Sequence, residues 1–282
     1  MVNINGNVMA DNESSLSINN RGYAYGDALF ETIRVNAGTI LFWEDHYFRL
    51  MASMRILRME IPMNFTPEFL HEEICKLIEE NHLTNSSVRA KIIVNRKQGG
   101  LYTPVTNTVD YMIVVTPLVG QFYTISNNPY EVTLFKDHYI APDLLSTLKS
   151  NNKIVNILGS IFAKENSFEN CLLLNTNKMV LEGLNGNLFL VKGNVIKTPP
   201  IADGCLKGIL RTQLLRILEK LDDYTVEEIS ISPFELQKAD EIFITNVITG
   251  IQPITKFRKK TYESLVSRKL LGMLNARIRI GA

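Results

Sequence analysis

The sequence predicts a mixed α/β protein with two domains, the smaller one first. Strand-like segments occur in both halves of the chain, and segments with helical spacing lie between them. A polar stretch at 117–128, which contains Gly120 and Asn127, separates the halves. The chain has 282 residues, 45% of them hydrophobic, which is enough for a sizeable core. We therefore expect a first domain at 1–116, a linker at 117–128 and a larger second domain at 129–282.

Two hairpins, two helices and two strands are expected in the first domain. Asn5-Gly6 favours a tight hairpin turn, and Asn36-Ala37-Gly38 provides a second turn. An irregular, glycine-rich loop follows at 99–104. The pattern predicts hairpins at 1–9 and 30–42, helices at 44–57 and 66–80, and strands at 88–94 and 111–115.

The second domain is expected to alternate between strands and helices. The first helix, predicted from about Ser150 to Ser167, begins directly after Lys149. The predicted strands lie at 130–135, 172–174, 179–182, 188–197 with a turn at 192–194, and 241–246; the other helices lie at 207–221 and 262–276.

The composition argues against several classes of protein. The 30 basic residues balance 29 acidic ones, so nothing indicates a nucleic-acid partner. The three cysteines have no CxxC spacing and the four histidines have no metal-ligand spacing, so we expect no disulfide framework, no metal site and a reducing cytoplasm. No signal peptide is recognisable, and no apolar segment approaches the ~20 residues of a membrane helix.

Lys149 is the first candidate for covalent chemistry. A lysine must be neutral to attack an aldehyde, so its pKa must be lowered by a desolvated cleft or a nearby positive charge. The dipole of the helix predicted after Lys149 would supply such a charge. Taken alone, Lys149 is more simply an exposed lysine near a helix start. Residues further along the chain favour the chemical interpretation.

Two later segments supply groups that suit a phosphorylated pyridine. Glu182 ends a predicted strand, and a carboxylate there can hold the proton of a pyridine nitrogen. The segment 204–211 frames a helix start whose N–H groups at Gly208, Ile209 and Leu210 can receive a phosphate. Gly208 would let the backbone approach closely. An ordinary turn and an ordinary helix start are the simpler interpretations of each segment by itself.

Arg49 is a second candidate for a phosphate contact. It lies one helical turn after His46, and its planar guanidinium suits phosphate oxygens. We expect His46 to have a structural role in capping or packing. The segment at 204–211 lacks the Gly-Lys-Ser/Thr ending of a P-loop, which disfavours a nucleoside triphosphate. Together, an amine, a carboxylate and a phosphate site indicate pyridoxal phosphate held as a Schiff base.

Six segments in this order resemble the class IV aminotransferases, the fold-type IV enzymes that use pyridoxal phosphate. That family includes branched-chain aminotransferases, D-amino acid aminotransferases and 4-amino-4-deoxychorismate lyases. The resemblance covers nearly the whole chain, and it lies in residues 21–34, 46–50, 148–152, 182–189, 204–211 and 243–254.

The resemblance implies a D-amino acid aminotransferase-like fold, with the cofactor between two domains, and a homodimer in which a partner loop helps to line the pocket. It implies that Lys149 forms the Schiff base and moves the substrate proton. Thr is common in the family at the position of Val247, so only a backbone contact is expected there. The resemblance assigns cofactor binding to Arg49, Lys149, Glu182, Asn187, Gly208, Ile209, Leu210, Asn246, Val247 and Ile248, and the substrate side to Phe30, Tyr102 and Thr249.

The subfamily stays open between two activities. Ile154 replaces a Tyr that is usual in branched-chain aminotransferases, and the loop at 95–102 lacks the Arg-x-His pair of D-amino acid aminotransferases. Gly99, Gly100 and Tyr102 suit the lyases, although Leu101 stands where an Arg is expected.

The first hypothesis is therefore a transaminase that moves an amino group between a small amino acid and a 2-oxo acid. The second is an aminodeoxychorismate lyase, which releases pyruvate and 4-aminobenzoate. The third hypothesis is a non-catalytic binding module. The sequence does not determine the amino donor and acceptor, the stereochemistry, or the residues that a partner subunit contributes.

Overall fold

The computed structural model describes residues 1–280, and these divide into two compact units. The first unit consists of Met1–Gln121 together with Lys149–Asn152, and the second consists of Phe122–Leu148 and the chain from Lys153 onward. The change from the first unit to the second falls inside the predicted linker at 117–128. The return of Lys149–Asn152 to the first unit has no counterpart in the predicted boundaries.

The first unit contains one antiparallel sheet of six strands, in the order β2-β1-β6-β5-β3-β4. The predicted hairpins, helices and strands of this part are confirmed. Its elements are β1 Val2–Ile4, β2 Asn7–Met9, α1 Arg21–Tyr25, β3 Ala28–Asn36, β4 Thr39–Ile40, α2 Trp43–Ile56, α3 Pro67–Glu80, β5 Ser87–Arg96 and β6 Val109–Leu118.

Local sequence explains where these elements begin and turn. Asn5 and Gly6 both have positive φ, as the tight turn between β1 and β2 requires. Helix α3 begins where Thr66 accepts a hydrogen bond from the Phe69 N–H and Pro67 takes the first helical position. Side chains alternate along β3, so Glu31 shares a face with Ile33 and Val35, and α2 covers this face. Phe30 and Thr32 lie on the opposite face.

The second unit contains a mixed sheet of ten strands. Eight strands follow the order β12-β11-β10-β9-β8-β7-β15-β16, while β13 pairs with β10 and β14 pairs with β13. Its elements are β7 Glu131–Leu134, α4 Ile154–Glu165, β8 Asn170–Leu174, β9 Val180–Gly183, β10 Gly186–Lys192, β11 Val195–Thr198, α5 Ile209–Leu218, β12 Thr225–Glu228, α6 Pro233–Leu236, β13 Glu241–Asn246, β14 Gly250–Ile254, β15 Lys256–Phe257, β16 Lys260–Thr261 and α7 Leu265–Ile280.

The predicted helix at 150–167 begins later than expected. Helix α4 starts at Ile154, because Ser150 instead forms a β-bridge with Leu29 and the Asn151 N–H donates to the Ala28 carbonyl at 3.0 Å. These backbone groups belong to an extended segment along β3 and cannot also begin a helix. Lys149 therefore does not adjoin a helix start. No helix in residues 1–280 is long and apolar enough to cross a membrane.

Candidate active site

Lys149 lies in the extended segment that pairs with the beginning of β3. Its carbonyl accepts a hydrogen bond from the Phe30 N–H at 2.8 Å. Its Nζ lies 4.4 Å from the centroid of the Phe30 ring. Asn152 extends the same attachment through Nδ2, which donates to the Gly26 carbonyl at 3.4 Å. The backbone of the candidate nucleophile is thus held by strand pairing, and the helix dipole expected from the sequence is not beside it.

Arg49 is held by a buried carboxylate that the sequence interpretation missed. The Arg49 Nε donates to Glu31 Oε1 at 2.7 Å, and its Nη2 donates to Oε2 at 2.6 Å. Burial by itself raises the pKa of Glu31, but the Arg49 charge and the hydrogen bonds from His46 and Arg49 together lower it to about 2. Glu31 is therefore ionised at neutral pH and fixes the plane of the Arg49 guanidinium.

His46 completes this buried cluster. Its Nδ1 lies 2.7 Å from Glu31 Oε2, and its side chain is inaccessible to solvent. Burial lowers the pKa of His46, and the hydrogen bond to Glu31 opposes that change only in part. The His46 Nε2 atom has no hydrogen-bond partner within residues 1–280. The i, i+3 spacing of His46 and Arg49 was visible in the sequence. Their shared contact with Glu31 arises from the packing of α2 on β3, which the sequence pattern does not show.

Glu182 and Asn187 stand opposite each other on β9 and β10 in the second unit. Glu182 Oε2 accepts hydrogen bonds from the Leu206 N–H at 3.1 Å and from Asn187 Nδ2 at 3.3 Å. Asn187 Nδ2 also donates to the Leu206 carbonyl at 2.8 Å. The carboxylate predicted to hold a pyridine proton therefore has a defined orientation, set by the segment before α5.

Gly208 lies directly beside Asn187. A Cβ at this position would lie 1.9 Å from Asn187 Oδ1, so the glycine makes room for Asn187. The Gly208 N–H donates to the Leu206 carbonyl at 2.8 Å. The sequence had predicted a phosphate as the partner of this N–H. Ile209 and Leu210 begin helix α5, where a helix leaves amides without intrahelical acceptors. A phosphate contact at these two N–H groups stays a prediction.

The loop after β13 is stabilised by Asn246 and by Tyr123 from an earlier segment. Asn246 Oδ1 accepts hydrogen bonds from the N–H groups of Ile248 and Thr249, both at 3.0 Å. The Tyr123 hydroxyl donates to the Val247 carbonyl at 2.6 Å. The carbonyl of Val247 and the amide of Thr249 thus already have partners within this unit, and the Thr249 side chain is exposed.

Tyr102 is 91% exposed and belongs to a loop that Arg21 holds in place. The Arg21 Nη1 donates to the carbonyls of Gly99 at 3.1 Å and Leu101 at 2.6 Å, while its Nε binds Asp27 at 2.9 Å. This anchor was not recognised in the sequence. Phe30, Arg49, Tyr102 and Lys149 belong to the first unit, whereas the other predicted site residues belong to the second. Within residues 1–280 no cluster of metal-ligating side chains occurs, and all three cysteines are free.

Comparison with known proteins defines the class. The family model described as amino-transferase class IV matches residues 28–257. A D-alanine aminotransferase from Bacillus licheniformis is 28% identical over 270 residues, which cover 92% of this chain and 89% of the relative.

Two solved structures agree with that match. One is a branched-chain amino acid aminotransferase from T.th. complexed with N-(5'-phosphopyridoxyl)-L-glutamate, with a TM-score of 0.84 and 25% identity over 96% of this chain and 91% of the other. The second is 4-amino-4-deoxychorismate lyase from Pseudomonas aeruginosa, with a TM-score of 0.82 and 26% identity over 98% of each chain. Fold and matches define a pyridoxal-phosphate-dependent enzyme with the predicted mixed α/β fold. The chain belongs to the class IV aminotransferase family, so the predicted family is confirmed.

Proposed function

We propose that this protein is a transaminase that moves an amino group between a small amino acid and a 2-oxo acid, with pyridoxal phosphate bonded covalently to Lys149 Nζ. The observation that carries the proposal is the position of Lys149. Its backbone is held against β3 by the Phe30 N–H, and its Nζ stands beside the Phe30 ring, within the part of the chain that matches the family.

The residues present fit this cofactor chemically. Glu182 is a carboxylate oriented by two donors, and the absence of a Cβ at Gly208 makes room for Asn187, one of those donors. Arg49 and the first-turn amides of α5, Ile209 and Leu210, would hold the phosphate. Bound pyridoxal phosphate supplies an aldehyde carbon and a protonated ring that takes up electron density from the substrate.

Each side chain then has a definite task. Lys149 Nζ removes the proton from the substrate α-carbon and later delivers a proton, which makes it the general base and acid. Glu182 keeps a proton on the pyridine nitrogen. Arg49 orients the phosphate, and Glu31 keeps the Arg49 guanidinium in one plane. We assign Phe30, Tyr102 and Thr249 to substrate binding, and Asn246, Val247 and Ile248 to phosphate binding.

Borohydride reduction followed by peptide mass spectrometry tests the covalent bond. We expect a pyridoxyl adduct on the peptide that contains Lys149 and none in the Lys149→Ala variant. Lys164→Ala, an exposed lysine of α4, is the matched control and should retain the adduct. An adduct on another lysine, or no adduct in the unmodified protein, would contradict the proposal.

The alternative function is 4-amino-4-deoxychorismate lyase activity. It is supported by the 26% identity to the Pseudomonas aeruginosa lyase over 98% of each chain, and by the glycine-rich loop at Gly99 and Gly100 next to Tyr102. A lyase needs no second oxo-acid substrate. If the protein forms 4-aminobenzoate from aminodeoxychorismate and forms no glutamate from 2-oxoglutarate with alanine, the lyase assignment replaces the transaminase assignment.

We further propose a homodimer that works in the cytoplasm. The homodimer rests on the family resemblance, and the cytoplasm rests on the three free cysteines, which are compatible with a reducing compartment. Sedimentation equilibrium of the purified protein tests the first part, because a homodimer has twice the 32.0 kDa mass of the chain. Fluorescence microscopy of a tagged protein in its native cell tests the second.

A further inference from the structure

We propose that Lys91 binds a carboxylate of the substrate and so makes the enzyme selective for amino donors that carry one. This inference rests on the proposed function, because it places the reacting amino group at Lys149. Two ammonium groups approach the same aromatic ring: Lys149 Nζ lies 4.4 Å and Lys91 Nζ lies 5.0 Å from the centroid of Phe30. A ligand whose nitrogen takes the place of Lys149 Nζ therefore lies near Lys91, with only the Phe30 ring beside both groups.

The sheet register places Lys91 on the same face as Phe30. Lys91 on β5 pairs directly with Thr32 on β3 and with Val114 on β6. Phe30 is two residues from Thr32, so its side chain emerges on the same side of the sheet. Glu31 points to the opposite side, where α2 covers it. Lys91 and the Glu31 cluster thus lie on different faces, and Glu31 is not the counter-ion of Lys91.

The residues nearest to Lys91 on its face of the sheet are uncharged or cationic. Ile93, Met112 and Val114 share its face and are half-buried, as Lys91 is. Arg34 and Arg89 continue the same face along β3 and β5, and neither provides a negative charge. No carboxylate in residues 1–280 pairs with Lys91, and burial together with the Arg89 charge lowers the pKa of Lys91. An anionic ligand would relieve this uncompensated charge.

The two cations of the loop at 95–102 each have a carboxylate nearby. Arg96 is the arginine of the 95–102 loop, and its side chain is only 8% exposed. It binds Asp27 at 3.0 Å and donates to the Leu57 carbonyl at 2.6 Å. Lys97 is exposed and lies 4.0 Å from Asp110. Arg96 is thus engaged in holding the structure, whereas Lys91 lies beside the same Phe30 ring as Lys149.

Ligand binding to the reconstituted holoenzyme tests the proposal. Butanoate, which has a carboxylate and no amine, is titrated against the visible absorbance of the Lys149-bound cofactor, with neutral butanamide as the comparison. We expect Lys91→Met to raise the Kd of butanoate by at least about tenfold, which corresponds to about 1.4 kcal/mol. Lys91→Arg should recover part of the affinity, because it keeps the charge. Lys76→Met, an exposed lysine of α3, is the matched control and should not change the Kd.

A second measurement uses the unmodified protein and does not depend on the folding of a variant. Lys91 is acylated with acetic anhydride in the presence and absence of butanoate, and the labelled peptides are quantified by mass spectrometry. We expect butanoate to protect Lys91 several-fold more than butanamide does, and to leave Lys76 unprotected.

The outcomes separate this inference from the proposed function. If the reconstituted protein has no visible cofactor band and no adduct on Lys149, the proposed function fails and the inference falls with it. If the band and the adduct are present but butanoate neither protects Lys91 nor loses affinity in Lys91→Met, the inference alone is overturned. Protection of Lys91 together with a raised Kd in Lys91→Met supports it.

Discussion

The Glu31 cluster leads to a quantitative prediction about stability. The pKa of Glu31 lies at about 2 instead of its ordinary 4.5, because the Arg49 and His46 contacts outweigh the effect of burial. At about 1.4 kcal/mol per pH unit, the ionised carboxylate contributes on the order of 3 kcal/mol to folding at neutral pH. Glu31→Gln keeps the shape of the side chain and removes the charge. We therefore expect this substitution to lower the free energy of unfolding by about 2–3 kcal/mol at pH 7.

The pH dependence gives this prediction its sharpest test. A carboxyl group whose pKa is depressed in the folded state contributes fully above its unfolded value of 4.5, and the contribution is lost as the pH falls toward about 2. Urea unfolding of both proteins at several pH values between 7 and 3 should thus show the difference shrinking below pH 4.5. Glu72→Gln, an exposed glutamate of α3, is the control and should change stability by less than about 0.5 kcal/mol. A Glu31→Gln effect under about 1 kcal/mol, or one that is equal at pH 7 and pH 3, would refute this account of the cluster.

Three further substitutions test the second unit. Gly208→Ala places a Cβ where Asn187 Oδ1 now lies, so we expect the Kd of the cofactor to rise by about tenfold or more, which corresponds to about 1.4 kcal/mol or more. Gly272→Ala, which meets no atom within 4 Å on α7, should instead stabilise the protein by up to about 1 kcal/mol. An unchanged Kd in Gly208→Ala would contradict the importance of this contact. Tyr123→Phe removes the hydrogen bond to the Val247 carbonyl, and urea unfolding should show a loss of about 1 kcal/mol; an equally stable variant would mean that water replaces the hydroxyl.

Local patterns in the sequence were sufficient for most of the secondary structure. The Asn5-Gly6 turn and the Thr66-Pro67 helix start carry their conformation in a few neighbouring residues, and both occur as predicted. Helix α4 begins at Ile154, four residues later than predicted, because pairing with β3 uses the preceding backbone groups. The spacing of residues within one segment cannot predict how that segment pairs with a distant strand.

The same limit applies to the candidate site. Lys149, Glu182 and Arg49 were selected because each stands in a segment whose residue types suit one part of the cofactor, and their roles stay predictions. The contact of Glu31 with Arg49 joins residues that lie 18 positions apart, and no spacing rule predicts it. The absence of a side chain at Gly208 was explained by a close approach to phosphate. Its contact with Asn187, 21 positions away, could not be predicted from the sequence.

The excursion of Lys149–Asn152 into the first unit limits how this protein can be divided or recombined. A fragment that stops at Gln121 would contain Phe30 and Arg49 but would lack the lysine, and it would leave the N–H of Phe30 and the carbonyl of Ala28 without their partners. If the two units were exchanged between related enzymes at a single crossover point, Lys149 would come from one parent and β3 from the other. Chimeras of this kind should therefore succeed only where the four-residue segment and the start of β3 come from the same parent.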